Sequence, residues 1–240
     1  MSVFLEFKKA KRTGLLPTYI AGGMLAAAVP VVNMAVRSEM YLTRQGNPVS
    51  ILFHANWQMM AMLNILLVTS GTCLLYHIEY ADNAIQKVKS LPLWESSVFF
   101  GKALLTIMMS AAALAIEAGA IAFCSCYWME IGKDFWMELC KSFGYAFGLL
   151  LPCMILSLLI AQICRNMWVS LGIGVVCTFT ATMLPTDRFM PSLFPFAMPF
   201  QIFADADRSQ IIAFITAAAA ELAILVLAEL LLLRIRRWFE

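Results

Sequence analysis

Six long apolar segments, separated by shorter polar ones, make up most of this chain. They extend over residues 15–36, 57–76, 103–127, 143–163, 168–184 and 211–233. Each is close to the ~20 residues that an α-helix needs to cross a bilayer. Lipid offers no partner to backbone polar groups, so a spanning segment must be a helix or belong to a closed barrel. The segments are continuously apolar rather than alternating, which predicts helices and excludes a barrel.

The pattern predicts an all-α polytopic membrane protein with six transmembrane helices, in which 1–240 form a single transmembrane domain. The composition agrees, because 62% of the residues are hydrophobic and only 13% are charged. The polar segments between the apolar ones are too short for a soluble catalytic or nucleotide-binding domain, which usually needs about 50–200 contiguous residues. The sequence therefore predicts a membrane-embedded function or one that depends on a docked partner.

The basic residues predict the orientation of the chain. If the N-terminus is cytoplasmic, eleven of the seventeen Lys and Arg residues fall on the cytoplasmic side. Cytoplasmic loops carry the excess of such residues, so both termini are predicted to be cytoplasmic. The first apolar segment is longer than the 7–15 residues of a signal-peptide core, which favours a retained helix over a cleaved leader.

Two polar segments on the predicted cytoplasmic side have helical periodicity. Residues 2–13 place apolar and charged positions on opposite sides, which predicts an interfacial amphipathic helix, although a basic flank that only sets topology stays open. Within 77–102, Ala81, Ile85 and Val88 fall on one stripe, which predicts a short helix beneath the membrane. Such a helix is well shaped to be held by a soluble protein; a connector without a partner is the alternative.

The segment 185–210 is apolar although it lies between two predicted spans. It contains four of the nine prolines and five phenylalanines, among them Phe194, Phe196 and Phe200. This content predicts short helices that re-enter the membrane from the extracellular side, since non-helical backbone at that depth must be buried in protein or line a cavity. A purely structural plug remains an alternative.

Three carboxylates lie within the predicted spans. A charge at the bilayer centre costs about 2.5–3.5 kcal/mol, so such residues usually face protein or water. Glu117 and Glu221 are candidates for a substrate path or a proton-linked role, or they are neutral hydrogen-bonded groups. Glu229 lies about one turn from Arg234 and is expected to be a paired end residue or one that snorkels to the interface.

Other chemistry is poorly supported by the sequence. No nucleophile–base pair, metalloprotease motif or phosphate-binding loop is present, so the chain is predicted to be non-catalytic. His54 and His77 have no ligand set around them, and no metal site is predicted. Glycines in the fourth and fifth spans predict close helix packing. A disulfide between Cys140 and either Cys124 or Cys126 stays open.

Two segments resemble the type II ABC exporter permeases. The start EFKKAKRT at 6–13 is similar to their N-terminus, and EYADNAIQKVKSLP at 79–92 is similar to their loop between the second and third spans. In that family an acidic residue opens a coupling helix, a Leu-Pro follows, and a Lys leads into the third span, where Lys102 matches. The chain most resembles the lantibiotic immunity and antimicrobial-peptide resistance permeases.

The resemblance implies an ATP-driven exporter in the plasma membrane of a bacterium. The implied partners are two copies of a separate ABC ATPase, which holds ATP and Mg, a second permease subunit in a homo- or heterodimer, and a cationic peptide substrate, with no nucleic acid. The implied ATPase contact comprises Glu79, Ala81, Asp82, Ile85, Val88 and Leu91. A possible substrate path comprises Glu117, Glu221, Phe194, Phe196 and Phe200. The alternative is a stand-alone proton-coupled secondary transporter that uses Glu117 and Glu221.

Overall fold

The computed structural model describes residues 14–44, 46–81, 95–164, 166–185, 188–204 and 206–239, and this part of the chain contains helices and no strand. The helices are α1 (Leu15–Leu42), α2 (Pro48–Ala81), α3 (Glu95–Trp128), α4 (Phe135–Ile163), α5 (Met167–Met183), α6 (Phe189–Ser192) and α7 (Arg208–Phe239), with a 3-10 turn at Met198–Phe200.

Five of these helices, α1 to α4 and α7, are long and apolar enough to cross a membrane. The sixth apolar segment forms α5, which has 17 residues. At 1.5 Å per residue α5 is about 26 Å long, slightly short of the ~30 Å hydrocarbon core. The predicted all-helical membrane fold is confirmed, whereas the count of six spans and the cytoplasmic position of the termini stay predictions.

Helices α2 and α3 are much longer than the apolar segments that predicted them. Each has 34 residues, which corresponds to about 51 Å and exceeds the ~30 Å hydrocarbon core by several turns. The end of α2 and the start of α3 flank residues 82–94, which lie outside the described residues. The predicted amphipathic helix at 2–13 also lies outside them.

The segment 185–210 packs into the bundle through an aromatic cluster. The Trp57 ring stacks on Phe53 at 4.8 Å between centroids and meets Phe143 edge-on at 6.0 Å. The indole Nε1 of Trp57 donates a hydrogen bond to the carbonyl oxygen of Pro199 at 2.9 Å. Phe196 and Phe200 are buried in the same core. This segment therefore forms part of the helical bundle through the 3-10 turn and the residues next to it.

Two glycines allow helices to approach closely. A Cβ at Gly23 in α1 would lie 3.1 Å from the Cα of Ala113 in α3, and a Cβ at Gly174 in α5 would meet the Thr69 side chain in α2. Apolar side chains gain little free energy when they move from lipid into a contact between helices. Close van der Waals packing is therefore a main source of helix association in a membrane. The predicted packing role is confirmed at Gly174, but Gly172 has nothing within 4 Å of its Cβ position.

Valine at Gly23 is expected to destabilise the bundle by about 1–3 kcal/mol, because the added atoms meet backbone that must shift. Thermal unfolding of the purified protein in detergent measures this loss. The matched control is Gly119→Val in α3, where nothing lies within 4 Å of the Cβ position; its effect should stay within about 0.5 kcal/mol. Equal losses in both variants would contradict the close contact between α1 and α3.

Candidate functional site

Four buried polar side chains from four helices meet at the end of the bundle where α2 ends and α3 begins. We call them the basal network: Tyr76 in α2, Lys102 in α3, Gln162 in α4 and Glu229 in α7. Lys102 is 1% exposed and Glu229 is 0% exposed. Burial of a charged group costs free energy unless the protein supplies hydrogen bonds or opposite charges to it. The contacts of Lys102 and Glu229 with neighbouring helices therefore determine the cost of burying them.

The contacts of the basal network run across the bundle from α3 to α7. The Lys102 Nζ donates to the carbonyl oxygen of Leu75 at 3.2 Å and lies 4.7 Å from the centroid of the Tyr76 ring. The Tyr76 hydroxyl donates to Gln162 Oε1 at 3.4 Å, and Gln162 Nε2 donates to Glu229 Oε1 at 3.0 Å. A cation over an aromatic face is attracted by the ring quadrupole, so Tyr76 contacts its neighbours through both its face and its hydroxyl.

The position of Glu229 corrects a prediction from the sequence. It was expected at the end of its helix, as a snorkelling or paired residue near Arg234. Its side chain is instead fully buried and bonded to Gln162, so the snorkelling prediction is wrong. Helix α7 continues to Phe239, which places Glu229 well inside the helix. The sequence could not show this, because the apolar segment ends before the helix does.

Tyr76 of the basal network lies about one helical turn before Glu79, the first residue of the predicted ATPase contact. Tyr76 precedes the last turn of α2, which contains Glu79 and ends at Ala81. The other four predicted contact residues, Asp82, Ile85, Val88 and Leu91, lie outside the described residues. Since Lys102 is seven residues after the start of α3, the network connects both helices that flank the segment 82–94 to α4 and α7.

A second buried polar contact lies between α2 and α3, far from the helix ends. Asn64 Nδ2 donates to Glu117 Oε2 at 3.0 Å. The other oxygen, Glu117 Oε1, is buried and has no hydrogen-bond partner among the described residues. The carboxyl group of Glu117 is therefore oriented by one donor and retains a free acceptor position within the bundle.

The other residues of the predicted substrate path lie in separate places. Glu221 is partly exposed on α7, and its buried Oε2 has no hydrogen-bond partner in the part of the chain that the structure describes. The phenylalanine rings at 194 and 196 stack at 5.6 Å between centroids, and Phe196 and Phe200 pack in the core around Trp57. Because Glu117 bonds to Asn64 and not to Glu221, the structure does not join the two carboxylates.

Sequence reasoning missed three polar residues of these sites, Asn64, Tyr76 and Gln162. Each has a hydrogen-bonding side chain and lies inside, or at the end of, an apolar segment. A polar side chain in such a segment indicates a buried partner, and this was the signal that could have identified them. Their partners lie on other helices, and the pairing depends on how the helices are rotated against one another.

A family profile of the ABC-2 family transporter proteins matches residues 2–181, which is most of the chain. The chain belongs to this family. ABC-2 proteins of this kind are transmembrane permease components that associate with ABC ATPase subunits. No curated protein and no solved structure matches the chain at a significant level. The match extends over α1 to α4 and most of α5, and it includes three of the four residues of the basal network.

The described part of this ABC-2 permease shows no candidate metal centre, since no group of three or more His, Cys, Asp or Glu residues is placed to hold an ion. All seven cysteines belong to the described residues and have free thiols, including Cys124, Cys126 and Cys140. The disulfide that the sequence left open is therefore not formed in this structure. The basal network and the Asn64–Glu117 contact remain the sites where buried polar chemistry is concentrated.

Proposed function

We propose that this ABC-2 permease works with two copies of a separate ABC ATPase and with a second permease subunit, identical or different, to expel cationic amphipathic antimicrobial peptides. Its resemblance to lantibiotic immunity and resistance permeases supports the choice of substrate. The proposed setting is the plasma membrane of a bacterium, with both termini in the cytoplasm. ATP and Mg belong to the ATPase.

The observation that carries this proposal is the basal network at the base of the two longest helices. Helices α2 and α3, with 34 residues each, are longer than the ~30 Å hydrocarbon core, and they flank the segment 82–94. Buried polar contacts resist separation, because an unpaired charge in this environment costs several kcal/mol. A force applied by an ATPase at 82–94 would therefore move α2, α3, α4 and α7 together, rather than bend one helix.

The opposite end of the bundle offers support for a cationic substrate. Three carboxylates there, Glu130, Asp134 and Asp207, are exposed. Exposed carboxylates at the mouth of a membrane protein attract cationic groups locally, and the exposed Arg44, Lys133 and Lys141 at the same end reduce the combined field. This attraction would be screened by salt, so peptide association should weaken as ionic strength rises.

Purification from the native membrane, followed by reconstitution, tests the proposal. We expect an ABC ATPase to co-purify with the tagged permease, and the reconstituted complex to remove a cationic amphipathic peptide from vesicle membranes only with MgATP. The control complex carries an ATPase whose phosphate-binding lysine is replaced. Transport by the permease alone, without nucleotide, would overturn the proposal.

The second candidate function is a proton-coupled secondary transporter that uses Glu117 and Glu221. The observation in its favour is the buried Glu117 Oε1, to which no described residue gives a hydrogen bond. This mechanism predicts transport that is independent of ATP, varies with pH and is abolished by Glu221→Gln, whereas Glu79→Lys has little effect. The ABC exporter predicts the reverse order of sensitivity. Peptide export assays on these two variants therefore separate the two functions.

A further inference from the structure

Two adjacent cavities lie at the end of the bundle opposite the basal network. A polar chamber of about 740 Å³ is formed by the loop after α1, the first turns of α2 and α4, and the segment that leads into α7. An apolar groove of about 410 Å³ lies beside it between α4 and α7. Lys141, Phe203 and Ile211 line both cavities, so one elongated molecule could occupy the chamber and the groove at the same time.

The chamber carries balanced charges. Arg44 and Lys141 contribute two cations to its lining, and Asp134 and Glu138 contribute two carboxylates. A ligand head group that contains both a phosphate and an ammonium would find a charge of opposite sign for each part. A strongly cationic peptide is less well matched, because half of the charged side chains in the lining would repel it.

The groove has an open floor and apolar walls. Gly144 and Gly148 in α4 have nothing within 4 Å of their Cβ positions, and they line the groove together with Leu149, Ile215 and Leu222. This pair of glycines was expected to permit close helix packing, but it borders open space in the described part of the chain. From Lys141 to Leu151 the groove follows ten residues of α4, or about 15 Å, which is half of the ~30 Å hydrocarbon core. This depth fits an acyl chain of one leaflet.

We propose that the chamber and groove form a binding site for a zwitterionic phospholipid, such as phosphatidylethanolamine, from the leaflet at this end of the bundle. The phosphate lies near Lys141 and Arg44, the ammonium lies near Asp134 and Glu138, and one acyl chain occupies the groove above Gly144 and Gly148. This site is independent of the proposed transport cycle, since it needs neither nucleotide nor an ATPase.

Photolabelling of the full chain in nanodiscs tests the site. The probe is phosphatidylethanolamine with a diazirine in one acyl chain, and mass spectrometry locates the labelled peptides. We expect labels on 141–151 and 211–222. Gly148→Leu places a side chain in the groove, and losing burial of about two methylene groups should reduce labelling about tenfold. Gly172→Leu is the matched control, because Gly172 is an exposed helical glycine with open space at its Cβ position and does not line either cavity.

The variant Lys141→Glu tests the contacts with the lipid head group. Lys141 is exposed, so Lys141→Glu should leave the fold intact. It should weaken labelling by the phosphatidylethanolamine probe and leave labelling by a diacylglycerol probe, which lacks the phosphate, unchanged.

Three outcomes would overturn the proposal. Equal labelling of Gly148→Leu and the unchanged protein would mean that only bulk lipid contacts this surface. Equal labelling of the unchanged protein by the diacylglycerol and phosphatidylethanolamine probes would show that the head group makes no specific contact. A crosslink between two copies through Gly148→Cys, together with loss of lipid labelling, would assign the groove to an interface between permease subunits.

Discussion

Lys102→Met is expected to lower the free energy of unfolding in detergent by about 2–3 kcal/mol, because it removes the hydrogen bond from a buried ammonium to the Leu75 carbonyl and the cation from the face of Tyr76. The methionine keeps most of the side-chain length and fills the space, so the loss reports the missing charge and hydrogen bond rather than a cavity. The carbonyl of Leu75 loses its side-chain donor, and the face of Tyr76 loses its cation. Denaturant unfolding of the purified permease measures the change. The control is Lys133→Met, since Lys133 is exposed at the opposite end and should change stability by less than about 0.5 kcal/mol.

A double-mutant cycle with Glu229→Gln tests whether the basal network acts as a unit. Residues within one hydrogen-bond network usually show interaction energies of about 0.5–3 kcal/mol. We therefore expect the double variant to be less destabilised than the sum of the two single variants. The cycle detects indirect coupling through Tyr76 and Gln162 as well as direct attraction. If the two losses in free energy of unfolding add strictly, α3 and α7 are not energetically coupled through these residues. That result would contradict the mechanical role proposed for the network.

Ile85→Pro is expected to abolish peptide-stimulated ATP hydrolysis and peptide export in the assembled transporter, with losses of at least about tenfold. The periodicity of the sequence predicts a helix over 79–91, and proline inside a helix costs about 3 kcal/mol or more because it removes a hydrogen bond and clashes with the preceding turn. A coupling free energy of about 1.4 kcal/mol corresponds to a tenfold effect, so breaking this helix exceeds what coupling needs. Reconstituted transport and ATPase rates, measured on the same vesicles, give both quantities.

Two variants make the coupling experiment specific. Ile85→Leu conserves volume and helix propensity, and it should retain normal rates. Glu79→Lys reverses the charge at the end of α2 and should uncouple hydrolysis from export without breaking the helix. Normal stimulated hydrolysis together with normal export in both Ile85→Pro and Glu79→Lys would contradict the role of this segment.

The polar residues of the candidate site show why part of it could be predicted and part could not. Glu117 was identified because a carboxylate in an apolar segment is costly, and Lys102 was noted because it matches the Lys that leads into the third span in the permeases that the chain resembles. Their contacts with Asn64 and Tyr76 were not predicted, because these neighbours lie on other helices. A rotation of one helix by a single residue, about 100°, would bring different side chains together without changing the apolar segments.

The ends of the helices show a similar division. The apolar segment 57–76 located α2, but the helix extends from Pro48 to Ala81. A helix continues through polar residues wherever its backbone hydrogen bonds can form, whereas the apolar segment reports only the part suited to hydrocarbon. The extra length matters for the proposed function, since it makes α2 and α3 longer than the ~30 Å hydrocarbon core.

The sequence by itself determined that this protein is helical and lies in a membrane, because backbone groups in hydrocarbon must be satisfied within each segment and apolar length is a local property. Its local motifs also pointed to the ABC exporter permeases, and the family match agrees with that class. Only the tertiary structure decided that Lys102, Tyr76, Gln162 and Glu229 form one buried network, and that Gly144 and Gly148 border a groove instead of a packed helix. Both features depend on the distances and rotations between helices, which are set by packing across the whole bundle rather than by any one segment.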